Sequence, residues 1–192
     1  MLDNLDTLLS AVRACRLCEG LPLGPNPILQ ASSSSRILIA GQAPGRITHA
    51  KGIPFDDPSG NRLRDWLGVT RELFYDSGLF AIIPMGFCFP GTAKGGDLPP
   101  RPLCAETWRA RLLAATPHVQ LTLAIGQYAQ NWHTPDSGST SLTQRVRNAS
   151  PDDKIIPLPH PSPRNGIWLK NNPWFEQQVL PHLRHRVRSA LS

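Results

Sequence analysis

The chain has 192 residues, 40% hydrophobic and 18% charged, with a formal net charge of +6, and this length suits one domain, 1–192, able to bury a core without disulfides. Every apolar run is short, which excludes a bilayer-spanning helix and a membrane partner. Met1 to Asp6 carries acidic residues where a secretory signal would be basic, so the expectation is a cytoplasmic monomer for which polyanions are admissible partners. Leu5, Leu8, Leu9 and Val12 recur at helical spacing behind a cap at Asp3 or Asn4, and the helix runs into Cys15. Residues 19–35 are rich in Gly, Pro and Ser and read as irregular chain. Arg36 to Ala40 is a first strand, broken by Gly41-Gln42-Ala43-Pro44-Gly45. Ser59 is placed to cap a helix holding Leu63, Trp66 and Leu67, and Thr70 a short one through Phe74.

Leu79 to Pro84 is a second strand, and Met85 to Leu103 reads as a long loop bounded by Cys88 and Cys104. A helix from Ala105 to Ala115 leads to a strand over Val119 to Ile125, and Gly126 opens a helix through Trp132. Ile155 to Leu158 is the last strand, stopped by Pro159-His160-Pro161-Ser162-Pro163-Arg164-Asn165. A basic helical tail follows Asn172, with a kink expected at Pro181. Short apolar strands separated by helices predict an α/β fold, three-layer α-β-α around a central four-stranded parallel sheet. In such sheets ligands bind beyond the carboxyl ends of the strands, here the loops Gly41 to Pro58, Met85 to Leu103 and Pro159 to Gly166.

Cys15 and Cys18 form a C-x2-C pair, whereas fifteen residues separate Cys88 from Cys104. Four thiolates suit a tetrahedral zinc or a cubane iron-sulfur cluster, and the loose second half favours the cluster. The competing reading makes Cys88 and Cys104 small buried residues. In isolation Gly41 to Gly45 would be an ordinary turn and Phe55 a core residue, but His160 between prolines has little reason to serve packing.

The C-x2-C pair, Gly41-Gln42-Ala43-Pro44-Gly45, Ile53-Pro54-Phe55, the C-x15-C loop and His160-Pro161-Ser162 stand in one order. In that order the chain resembles family 4 uracil-DNA glycosylases over nearly its whole length. The resemblance implies a structural [4Fe-4S] cluster on Cys15, Cys18, Cys88 and Cys104. It further implies DNA carrying a deaminated or damaged base as the partner, with hydrolysis of the N-glycosidic bond leaving an abasic site. Phe55 resembles the family's base-stacking ring and His160 its leaving-group histidine. Gly41, Ala43, Pro44 and Gly45 would contact the base, Ser162 a phosphate, and Arg164 and Asn165 the minor groove.

Two departures qualify the resemblance. The family has Glu where this chain has Gln42, an amide that can orient a water but not take its proton. Asp56 and Asp57 are therefore expected to supply the carboxylate. The family's uracil-reading Asn is also absent from Pro84-Met85-Gly86-Phe87, which leaves the excised base open. A catalytically weak or inactive lesion-binding protein of the same fold is the second reading, and a zinc-stapled α/β domain acting on nucleotides or small molecules the third.

Overall fold

Asn4 caps the first helix, α1 (Leu5–Arg13), its side-chain oxygen accepting the Asp6 N–H at 2.9 Å. The computed structural model describes residues 4–135, 140–150 and 152–192, so Asp3, the other cap considered, lies outside the described residues. Leu5, Leu8, Leu9 and Val12 are the buried stripe of α1. They pack with Leu38, Ile83, Phe87 and Leu112 on one face of the sheet.

The strand β1 (Ile37–Ala40) is buried throughout and leads to α2 (Arg46–Lys51), α3 (Pro58–Leu67) and α4 (Arg71–Tyr75) before β2 (Phe80–Ile82). Within β1, Ile37 and Ile39 join Leu63, Trp66, Phe74 and Leu183 on the second face, while Leu38 points to the first. Asp57, not Ser59, caps α3 by accepting the Gly60 N–H at 2.8 Å. Pro58 at the first helical position needs no N–H partner there, which fixes the start two residues earlier than the sequence pattern indicates.

The Cys88–Cys104 segment is not structureless: it holds an antiparallel hairpin, β3 (Thr92–Ala93) with β4 (Gly96–Asp97). Next come α5 (Pro102–Cys104), a π-helical turn (Ala105–Arg109) and α6 (Ala110–Ala114). The strand β5 (Leu121–Ile125) runs directly into α7 (Gly126–His133), and α8 (Leu142–Asn148) precedes β6 (Ile155–Leu158). A 3-10 turn (Pro163–Asn165), α9 (Gly166–Asn171), a π-helical turn (Phe175–Val179) and α10 (Leu180–Leu191) complete the described chain. Pro181 falls in the first turn of α10, and the backbone departs from α geometry in the widened turn just before it.

All four sheet strands are parallel in the order β2-β1-β5-β6, with helices on both faces. The strand order reverses between β1 and β5, the position where open α/β sheets leave a crevice. At the β2 edge, Gln30 exchanges backbone hydrogen bonds with Ile82 and donates its side-chain amide to the Phe80 carbonyl at 2.9 Å, closing an otherwise open edge.

Arg109 is fully buried. Its Nη1 donates to the carbonyls of Ile83 at 2.9 Å and Pro84 at 3.1 Å, and its Nη2 lies 2.6 Å from His133 Nε2. Arginine can only donate, so that ring nitrogen is the acceptor and the imidazole is neutral. Burial draws Arg109 down to about 10, and burial together with the Arg109 charge draws His133 down to about 4. The unfolded chain therefore binds a proton at His133 between an ordinary pKa near 6.5 and about 4 that the folded protein refuses. Stability from this site is complete above that window and falls as pH drops through it, by on the order of 3 kcal/mol. Urea midpoints measured across the window should fall less steeply in His133→Gln than in the wild type.

Candidate active site

The carboxyl ends of the sheet strands surround a cavity of about 310 Å³, inside the range of small-molecule sites. Its walls are the Gly41–Gly45 turn after β1, Pro54, Phe55 and Asp57 before α3, Pro84 after β2, Asp97 of β4, and His160, Ser162 and Arg164 after β6.

The first turn is fixed from behind. Met85 N–H donates to the Gly41 carbonyl at 2.8 Å and Gly86 N–H to the Gln42 carbonyl at 2.9 Å. In a trans peptide N–H and C=O point oppositely, so the amides of Gln42 and Ala43 turn away from the Met85–Gly86 loop. A Cβ on Gly41 would lie 3.1 Å from the Phe55 ring, so a side chain there would press into the aromatic face.

Phe55 is the described non-glycine residue with a positive φ, 55°. Such a conformation costs on the order of 1–3 kcal/mol and persists only where its surroundings impose it. Here Tyr75 Oη–H donates to the Pro54 carbonyl at 3.0 Å and Arg64 Nη1 to the Phe55 carbonyl at 3.4 Å. The ring is partly buried, edge-on to Phe74 with centroids 6.4 Å apart.

His160 Nδ1 accepts the Ser162 N–H at 3.2 Å, and the His160 carbonyl accepts Asn165 Nδ2–H at 2.7 Å. With Nδ1 an acceptor, the neutral ring carries its proton on Nε2. Burial pushes the imidazole pKa below its ordinary value, while the carboxylates of Asp57 and Asp97 pull it partway back. Arg62 Nη1 donates to the Ser162 carbonyl at 2.8 Å, and Ser162 Oγ accepts the Arg164 N–H at 3.2 Å, so the loop's shape is built in. Gly126, with φ of 78°, opens α7 beside the imidazole without crowding it.

The structure thus gathers Gly41, Gln42, Ala43, Pro44, Gly45, Phe55, Asp57, His160, Ser162 and Arg164 around one space. Two residues expected at the site stand apart from its walls. Asp56 is bound to Arg71 at 2.6 Å and Lys51 at 3.3 Å, and the Arg71 hydrogen bond holds its carboxyl below the usual range. The turn that returns the Asp56 N–H to the Ile53 carbonyl leaves Asp56 on Lys51 and Arg71, so of the two carboxylates Asp57 is the one that lines the cavity. Asn165 braces the His160 backbone. Asp97 escaped the sequence reading; it follows the tight Lys94-Gly95 turn of the β3–β4 hairpin, which a Gly-rich loop does not announce.

The four cysteines are free thiols. Burial, with the charges of Cys18, Cys88 and Cys15, pushes Cys104 up to about 12, and burial followed by Cys18 and Cys15 pushes Cys88 up. Thiols that feel one another from residues 15 to 104 lie on one side of the molecule, Cys18 and Cys104 within the same apolar cluster. Among the described residues no His, Cys, Asp or Glu group is drawn tightly enough to form a ligand shell. As a donor set the four fit a thiophilic centre, since its positive charge would reverse the penalty that their thiolates meet when alone.

The sequence model of the uracil DNA glycosylase superfamily matches residues 30–184. A curated relative, the type-4 uracil-DNA glycosylase of Saccharolobus solfataricus, is 25% identical over 127 residues, covering 64% of this chain. The match spans 56% of that relative's length.

Proposed function

Because this chain belongs to the uracil-DNA glycosylase superfamily, we propose that it is a monofunctional DNA glycosylase. It hydrolyses the N-glycosidic bond of an extrahelical, damaged base and leaves an abasic site. The observation that carries this reading is the cavity, at the carboxyl ends of the strands, that Phe55 and His160 both line. A flipped base needs an aromatic face to replace the lost stacking and donors at its edge. As the C1′–N bond breaks, the sugar becomes oxocarbenium-like and the base takes the electron pair. A neutral imidazole with its proton on Nε2 can donate to the developing anion without first losing that proton to solvent.

The Gly41–Gly45 turn lets backbone approach the base, and Ser162 and Arg164 lie where a phosphate and the displaced stack would meet the loop. In this reading Cys15, Cys18, Cys88 and Cys104 would hold a [4Fe-4S] cluster, which supplies no redox step and ties the N-terminal segment to the long loop. Iron and acid-labile sulfide analysis of the purified, coloured protein distinguishes it from zinc. The chain 1–192 acts as one domain and a monomer on DNA, in the cytoplasm.

The test is incubation with oligonucleotides carrying uracil, hypoxanthine or xanthine, single- and double-stranded, followed by alkali. Strand breaks at the modified base together with free base are expected. Without the family's Asn near Pro84, selectivity for uracil over the purines is expected to be weak, because a lost buried hydrogen bond is worth about 1–3 kcal/mol. Tight binding of such DNA with no base released would favour the lesion-binding alternative.

A further inference from the structure

Gln42 cannot accept a proton at neutral pH, and Asp57 spends one carboxylate oxygen on the Gly60 N–H at the head of α3. The cavity has a second carboxylate. The β3–β4 hairpin lies across two of its walls: Gln42 Nε2 donates to the Leu98 carbonyl at 3.2 Å, and Arg164 Nη1 sits 2.8 Å from where a Gly96 Cβ would be. Between those anchors is Asp97. Its Oδ1 accepts the Thr92 hydroxyl at 3.3 Å, while Oδ2 approaches to 3.2 Å the position a Cβ on Gly45 would take. The side chain is open to water, and its charge is felt at His160 together with that of Asp57.

The geometry points to Asp97 as the proton acceptor for the attacking water, delivered to the cavity by the hairpin. This rests on the glycosylase reading. The water oxygen forms a bond to C1′ as the C1′–N bond breaks, and the electron pair of that bond leaves with the base. One water proton passes to Asp97 Oδ2, from which solvent removes it. The base anion, held by His160 Nε2–H, gains a proton from solvent, so water is the sole co-reactant. Gln42 then acts through its amide: by donating to Leu98 it fixes the hairpin, a contact that a carboxylate would repel.

Single-turnover excision of whichever of uracil, hypoxanthine or xanthine the wild type releases provides the test. Asp97→Asn should slow excision by about 100-fold, the lower range for removal of a general base. Its thermal midpoint and its affinity for duplex containing a tetrahydrofuran abasic analogue should stay near the wild-type values. Added formate should restore part of the rate of Asp97→Ala, which a purely structural role would not allow. An Asp97→Asn rate within about threefold of wild type would overturn the assignment. So would a loss matched by weaker tetrahydrofuran-DNA binding and untouched by formate in Asp97→Ala. A wild-type protein that releases none of the three bases would remove the glycosylase reading, and this role with it; release by the wild type with a fast Asp97→Asn removes only the role.

Discussion

Replacing His160 by alanine is expected to lower base excision by roughly 10²–10³-fold, the range for loss of one preorganised donor to a developing anion. In the proposed mechanism the imidazole addresses the departing base, so the affinity for abasic DNA should change little. The size of the effect follows from preorganisation. Ser162 N–H occupies Nδ1, so the neutral ring holds its proton on Nε2 before substrate arrives. Burial keeps the ring neutral by lowering its pKa, the opposing pull of Asp57 and Asp97 notwithstanding. The active form should therefore persist on the acid side of the ordinary imidazole range, and His160→Gln, which keeps a donor, should fall less than His160→Ala. Rapid-quench excision rates across pH check both points; an alanine variant that excises as fast as the wild type would detach His160 from the chemistry.

The sheet was legible because each strand is a short apolar run bounded by turn residues, and the structure keeps those runs within a residue or two. The helices α2 and α8 were not, since six- and seven-residue helices carry too few turns for a periodicity to stand out. Gly41 to Gly45 and the His160 loop were readable because they stand where strands break, the edge where ligands sit. Phe55 by itself reads as core and was singled out only through the resemblance of Ile53-Pro54-Phe55 to the family. Asp97 was not, because a carboxylate in a Gly-rich loop is ordinary until the hairpin folds back across Gln42 and Arg164. Arg109 was hidden for the opposite reason. A fully buried arginine contradicts the expectation for its type, and no pattern pairs it with His133, which the sequence left without a role.

Gly60→Ala, at the glycine packed behind Phe55, should be a severely damaging small substitution, costing roughly 3 kcal/mol or more of stability. A Cβ at this position would lie 1.7 Å from the Phe55 carbonyl oxygen and 2.6 Å from its carbon. Both are backbone atoms, so no rotamer relieves the overlap: either α3 retreats or residue 55 leaves its positive φ. The same shift would disturb the Asp57 cap, whose partner is the Gly60 N–H, and the Arg64 hydrogen bond to Phe55. Displacing the ring by about 1 Å should cost excision on the order of 100-fold. Gly52→Ala is the control, because that glycine has a φ of 69° but open space around its absent Cβ. It should cost only the left-handed backbone penalty of about 1–2 kcal/mol and leave excision intact. Equal urea midpoints for the two variants would mean that close packing of α3 against Phe55 is not what holds the aromatic face over the cavity.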